Sequence, residues 1–205
     1  MTKAVLFDMD GVLIDATDWH YDALNEALEI FGYTIDRDEH FARFNGMTTK
    51  KKLEILSNER GLPFGLHGVI SDIKQDRTLR IAAKKCFPTA AHLILLSRLK
   101  NSGVKIGVVT NSIRMTTEFM LKYAGISDFL DVLITNEDVS QPKPSPEGYL
   151  LGMKSLDSSP EHTVVVEDGM HGIAAARAAG ARVVEVADPS EVSLKIFDQI
   201  MEFGQ

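Results

Sequence analysis

One cysteine, Cys86, stands in 205 residues. A lone thiol closes no internal disulfide, so a disulfide-stapled scaffold is excluded and a reducing compartment is the expected home. Long apolar runs are also missing: none would span a bilayer, and no membrane partner is expected. Residues Met1 to Asp10 carry no signal-peptide pattern and run straight into a strand, so a cytoplasmic protein is expected. Positive charge is in deficit, with 22 Lys and Arg against 29 Asp and Glu and a formal net charge of −7. A general nucleic-acid binder needs a basic footprint, so nucleic acid is not an expected partner. There is no internal repeat, no low-complexity tract and nothing that marks a protein partner.

What is present is an ordinary globular composition, 44% hydrophobic, on a chain long enough for a substantial core. Five short apolar runs, residues 4–7, 104–110, 132–135, 163–166 and 182–186, read as buried parallel strands. Helical patterns separate them from the second run onward. Residues 89–100 form one, closed by Asn101-Ser102-Gly103, and residues 113–123 another, with Gly125 beyond its end. Ser145 followed by Pro146 reads as a cap and first helical position. Residues 169–179 form a further helix closed by Gly180, and Asp188 with Glu191 resembles a capping box for the last one. Strand alternating with helix implies an α/β fold with a parallel sheet covered on both faces.

The stretch between the first two strands is too long for one crossover. It reads as an inserted helical unit over 16–85, leaving 1–15 and 86–205 as the α/β core. Leu24, Ala27, Leu28 and Phe31 make one apolar helix face that Gly32 ends. Thr48 and Thr49 are candidate caps of a second helix that Gly61 ends, and residues 66–84 supply a third. Residues 16–42 hold one basic residue and seven acids, whereas residues 43–85 hold ten basic residues and four acids. Most of these charges read as solvated helix faces. Some of Arg43, Lys50, Lys51, Lys52, Arg77 and Arg80 are candidates to draw an anionic substrate.

Ligands of open parallel sheets bind at the carboxyl ends of the strands. The first strand ends in Asp8-Met9-Asp10-Gly11, the second in Thr110-Asn111-Ser112 and the fourth in Glu167-Asp168-Gly169; Lys143 lies in the loop after the third. Taken singly, each has a structural explanation as a turn, a cap or a surface group. Together, in this order and each at a strand end, they point to one polar site. Carboxylates crowded there would raise one another's pKa, which a divalent cation relieves. Oxygen ligands without a Cys or His cluster favour Mg²⁺ over zinc. Asp8 can attack phosphorus as a carboxylate nucleophile, and Asp10, two residues on, can move the protons. Thr110, Ser112 and the backbone N–H groups of Asn111 and of the Asp8–Gly11 loop are candidate phosphate donors, and Lys143 a neutralising charge.

These residues resemble the motifs of the haloacid dehalogenase superfamily, in the branch of phosphoglycolate-phosphatase-like and β-phosphoglucomutase-like enzymes. The resemblance covers nearly the whole chain: Asp8 to Asp15, Val108 to Ser112, Lys143-Pro144 with Ser145-Pro146, and Val165 to Gly169 running on to Gly172 and Gly180. It implies a Rossmann-like core and a small helical cap inserted after the first motif. It makes Asp8 nucleophile and magnesium ligand, and Asp10 the acid/base with its backbone carbonyl on the metal. Thr110 and Lys143 would bind the phosphoryl group, Asp168 would ligate the metal, and Glu167 would support it. Dehalogenases and phosphonate hydrolases of the superfamily lack an acid where Asp10 stands. His20 falls where relatives have a cap-hinge histidine, and Trp19 beside it is expected to pack the first cap helix. Mutase-like members carry an Arg after a Gly in the cap; here Gly46 is followed by Met47-Thr48-Thr49-Lys50, which counts against a mutase. The leading expectation is hydrolysis of a small phosphorylated metabolite. A sugar phosphomutase is the enzymatic alternative and a phospho-aspartate signalling module the non-enzymatic one. The latter has no helical insertion after its first strand and places its acids differently.

Overall fold

The computed structural model describes residues 2–202. The chain divides into two compact units, Met1–Asp15 with Phe87–Gln205, and Ala16–Cys86. Its strands are β1 (Ala4–Phe7), β2 (Lys105–Val109), β3 (Val132–Ile134), β4 (Thr163–Glu167) and β5 (Arg182–Glu185). Between β1 and β2 come α1 (Thr17–Glu29), α2 (Arg37–Glu39), α3 (Thr49–Arg60), α4 (His67–Lys85) and then α5 (Ala90–Asn101). The remaining helices are α6 (Arg114–Tyr123), α7 (Glu147–Ser155), α8 (Met170–Ala178) and α9 (Phe197–Glu202). Among the described residues, no helix is long and apolar enough to cross a membrane.

The expected parallel sheet is present, in the order β3-β2-β1-β4-β5. β1 lies at its centre, with Phe7 opposite Val108 on one side and Val166 on the other. All four β1 residues are buried, as a strand hydrogen-bonded on both edges and covered on both faces requires. Ala4 and Leu6 point to one face, where they share a core with Val109, Val165, Tyr149 and Met153 of α7, and Ala175 and Ala176 of α8. Close approach of α7 depends on Gly152, where an added Cβ would sit 3.1–3.3 Å from Leu6 and Val109. That tight seat holds α7, and with it Tyr149, against the strands.

The helical unit has its own core of Leu24, Ala27, Leu28, Ile35, Phe44, Leu53, Leu56, Leu62 and Ile70. Thr48 caps α3 by accepting from Lys51 N–H, and Gly61 closes it in the left-handed region at φ 71°. Trp19 is buried on α1. The two oppositely charged halves of this segment pair with each other, as in Arg60 with Glu39 and Arg77 with Glu26. Arg43 pairs with Glu59, Arg80 with Asp76 and Lys51 with Glu54, so these candidates for anion attraction are engaged within the unit.

Two local readings change. The α2 segment runs on into a π-helical turn, His40–Phe44, that the apolar spacing does not announce. The capping-box residues after β5 close only a single 3-10 turn, Pro189–Glu191, and the last helix starts at Phe197. Asp188 does accept from Ser190 N–H, but Glu191 reaches back to Ala187 N–H rather than opening an α-helix.

Candidate active site

Four chain segments bring the expected polar residues together at the carboxyl end of the sheet. Asp8 follows β1 directly, and its N–H donates to Val166 O at 2.9 Å, which continues the sheet by one residue. The chain then turns tightly through Gly11 at φ 90°, with Leu13 and Ile14 N–H both donating to Met9 O. Glycine is required there twice over: for its positive φ, and because an added Cβ would lie 2.1 Å from Asp168 Oδ2.

Lys143 is the hub of the site. Its ammonium donates to Asp8 Oδ1 at 2.5 Å and to Glu167 Oε1 at 2.6 Å, with all three side chains buried. Such charge-assisted bonds in a low dielectric are strong and fix geometry. Burial works against the Lys143 ammonium, but the Asp8 and Glu167 carboxylates hold its pKa well above the ordinary value. Asn111 clamps the loop that carries it: Asn111 Oδ1 accepts from Lys143 N at 2.9 Å and Nδ2 donates to Lys143 O at 3.2 Å. The Asn111 side chain therefore serves the lysine loop, and its expected part in phosphate binding rests on its backbone N–H.

Glu167 Oε1 also accepts from Tyr149 Oη at 2.8 Å, while Oε2 accepts from the N–H groups of Asp168 and Gly169 at 3.0 and 3.1 Å. Gly172 in α8 makes room for this carboxylate, since a Cβ there would lie 1.5 Å from Oε1. Tyr149 additionally places its ring 4.8 Å from the Lys143 ammonium. The sequence reading did not include Tyr149; a single aromatic in an apolar helix pattern carries no signal beyond core packing.

Thr110 is buried, and its Oγ1 accepts from Ser112 N–H at 3.0 Å, so the hydroxyl keeps its own proton to donate. Ser112 Oγ, expected among the phosphate donors, instead donates to Asp10 Oδ2 at 2.7 Å. Carboxylate oxygens of Asp8, Glu167 and Asp168 lie within 4.8 Å of one another, and the Asp10 carboxylate is outside that set. Burial, then the nearby Glu167 carboxylate, pushes Asp168 up to about 6. Burial also pushes Asp8 well above the carboxylate range; Lys143 opposes this, and Glu167, Asp10 and Asp168 add to it. Three carboxylates against one ammonium leave a local excess of negative charge on hard oxygen donors. Those donors fit a hard divalent cation, which would hold Asp8 and Asp168 ionised.

The other expected substrate contacts all belong to the helical unit. His20 lies on α1, Gly46 precedes α3 at φ 74°, and Lys50 is exposed on the first turn of α3.

The chain is similar to known proteins. Validoxylamine A 7′-phosphate phosphatase of Streptomyces hygroscopicus subsp. limoneus is 32% identical, over 88% of this chain and 83% of that protein. A phosphorylated carbohydrates phosphatase of Thermotoga maritima is 28% identical, over 87% and 82%. The crystal structure of a variant of CbbY from Rhodobacter sphaeroides with xylulose-1,5-bisphosphate is similar with a TM-score of 0.81 and 26% identity, covering 90% of this chain and 86% of that one. Residues 5–186 match the family described as haloacid dehalogenase-like hydrolase. Because that match runs from within β1 to just past β5 and takes in every strand end described above, the chain belongs to the haloacid dehalogenase-like hydrolase family.

Proposed function

We propose that this protein is a phosphatase that hydrolyses a small phosphomonoester in two displacements on Asp8. The observation that carries the reading is the buried Lys143 bridge between Asp8 and Glu167. It holds one oxygen of Asp8, leaving the other as nucleophile, and sets a positive charge where an anionic phosphoryl group must approach. In the first step an Asp8 oxygen attacks phosphorus and the P–O bond to the leaving alcohol breaks, while Asp10 gives that oxygen its proton. In the second, Asp10 takes a proton from water, whose oxygen attacks phosphorus, breaks the bond to Asp8 and releases inorganic phosphate. The bond from Ser112 orients Asp10 for both transfers. The Thr110 hydroxyl and the Asn111 N–H donate to the phosphoryl oxygens.

Asp8 and Asp168 would hold Mg²⁺, with the Asp10 main-chain carbonyl. Glu167, whose oxygens already accept four hydrogen bonds, would contribute charge rather than a free ligand atom. When bound, the ion supplies neutralisation of the transferring phosphoryl charge. The named relatives act on a 7′-phosphate and on phosphorylated carbohydrates, so a phosphorylated carbohydrate or a compound resembling one is the substrate class favoured here. The helical insertion is the part that selects it.

A panel of phosphorylated metabolites, assayed for phosphate release with Mg²⁺ and with chelator, tests the reading. Asp8→Asn is expected to lower turnover by at least about 10³-fold, as loss of a covalent nucleophile does. Mass spectrometry of quenched wild type should show a phosphate adduct on Asp8. Retained turnover in the variant would sink the assignment.

A further inference from the structure

The loop after β3 borders the site and carries charged side chains that the chemistry above does not use. Thr135 follows β3, and Asn136, Glu137 and Asp138 come next. The end of β2 runs beside this loop: Thr110 N–H donates to Ile134 O at 3.0 Å, and Asn136 N–H donates to Ser112 O at 3.2 Å. Ser112 is therefore held at three points. Its N–H donates to Thr110 Oγ1 at 3.0 Å, its carbonyl accepts from Asn136, and its hydroxyl donates to Asp10 Oδ2 at 2.7 Å. The bond from Asn136 ties Ser112 to a third strand end, so the aim of the Ser112 hydroxyl depends on how the β3 loop is fixed.

That loop is fixed by carboxylates. Asp138 Oδ2 accepts from Thr135 N–H at 2.8 Å, from Thr135 Oγ1 at 2.7 Å and from Arg114 Nη2. One oxygen thus closes the loop on itself and ties it to the first residue of α6. Glu137 Oε2 accepts from the main-chain N–H of Arg114, a second tie to the same residue. Burial works to raise the Asp138 pKa, but the bonds from Arg114 and Thr135 hold it below the ordinary carboxylate value, so the anion persists through the neutral range. Arg114 stands two residues after Ser112, so the loop and the Ser112 backbone are clamped as one piece.

We propose that Asp138 is a positioning residue for phosphoryl transfer: it fixes the loop 135–138, the loop fixes Ser112, and Ser112 aims the Asp10 carboxyl at the leaving oxygen. It acts through the Asn136 N–H and the Ser112 hydroxyl rather than on the reacting atoms. This role rests on the acid/base part given to Asp10 above. The Arg114–Asp138 pair lies at the surface, where ion pairs contribute little to stability, so its effect on chemistry is separable from folding.

The test compares leaving groups, because a nitrophenolate departs without a proton whereas an alkoxide needs one from Asp10. The full chain with Mg²⁺ is assayed on para-nitrophenyl phosphate and on the alkyl phosphate of the panel that it hydrolyses fastest. Wild type is set against Asp138→Ala and Asp138→Asn, each checked for cooperative melting. The value read is kcat/KM, which ends at the first displacement and so is blind to slow hydrolysis of phospho-Asp8. Asp138→Ala is expected to lower it about tenfold for the alkyl ester and less than about threefold for the nitrophenyl ester, as a misaimed acid does. Asp138→Asn keeps an oxygen for Thr135 and loses only the charge, so it should fall between wild type and Asp138→Ala. An equal fall on both esters, or no fall, would overturn the role. Amide exchange of Asn136 and Ser112, followed by ¹H–¹⁵N NMR, gives an arm without turnover and should quicken about tenfold in Asp138→Ala. Unchanged exchange sinks this role alone, whereas a wild type that hydrolyses neither ester sinks the phosphatase reading and this role with it.

Discussion

Glu167 takes part in four hydrogen bonds, from Lys143, Tyr149 and two backbone N–H groups, and so fixes the lysine that in turn fixes Asp8. At the scale of single residues this makes Tyr149 a positioning residue. Tyr149→Phe keeps the ring beside Lys143 and removes the hydroxyl that donates to Glu167. Loss of a hydrogen bond to a charged group costs about 1.5–3 kcal/mol. We expect kcat to fall by about tenfold, with KM changing by less than about threefold. A raised KM at unchanged kcat would instead place Tyr149 in substrate binding. That Asp8, Asp10, Lys143 and the Glu167-Asp168 pair gather at one edge of the sheet was legible in the sequence, because each ends or follows a strand of recognisable apolar pattern. Tyr149 and the Ser112–Asp10 bond were not, because only folding brings residues 18 and 102 positions apart in sequence into contact.

At the scale of elements, α8 is shaped around a carboxylate. Gly172→Ala would drive a methyl into Glu167. Overpacking of this kind costs about 1–3 kcal/mol, and a shift of Glu167 also releases Lys143. Thermal melting should fall by several degrees, and activity should fall further than the melting shift explains. An alanine variant with full activity would show that Glu167 is not held as described. The π-helical turn gives the second element-scale test. His40 titrates at about 3 in the folded state against 6.5 for the free side chain, through burial and then Lys52. The unfolded chain therefore binds this proton more readily. The contribution is complete above pH 6.5 and drains away as pH falls toward 3, amounting to about 2 kcal/mol lost by pH 5. His40→Phe should lack this part of the acid sensitivity, seen as a smaller difference in melting temperature between pH 7 and pH 5 than wild type shows. Equal pH dependence in the two proteins would argue against a buried neutral His40. The helix patterns predicted α1, α3 and α4 from apolar spacing and caps. The π-helical turn escaped because its hydrogen bonding departs from the 3.6-residue period that such spacing detects.

At the scale of the whole molecule, the crowding of Asp8, Glu167 and Asp168 is a stability statement as well as a functional one. A cation that binds only the folded chain stabilises it by mass action, by about 2.7 kcal/mol at a hundred times its dissociation constant. Added Mg²⁺ should therefore raise the melting temperature, chelator should reverse the rise, and Asp168→Asn should remove most of it. A melting temperature indifferent to Mg²⁺ in wild type would contradict the metal assignment without reference to turnover.

The sequence by itself determined the alternation of strand and helix, the long insertion after β1 and the chemistry of the strand ends. Those are local properties, written in runs of a few residues whose spacing and capping follow backbone geometry. Only the tertiary structure decided that Lys143 joins Asp8 to Glu167, and that Tyr149 and Gly172 serve that carboxylate. These depend on strand order and on how closely each helix seats on its neighbours. Both arise from contacts between residues far apart in the chain, whose positions no local pattern specifies.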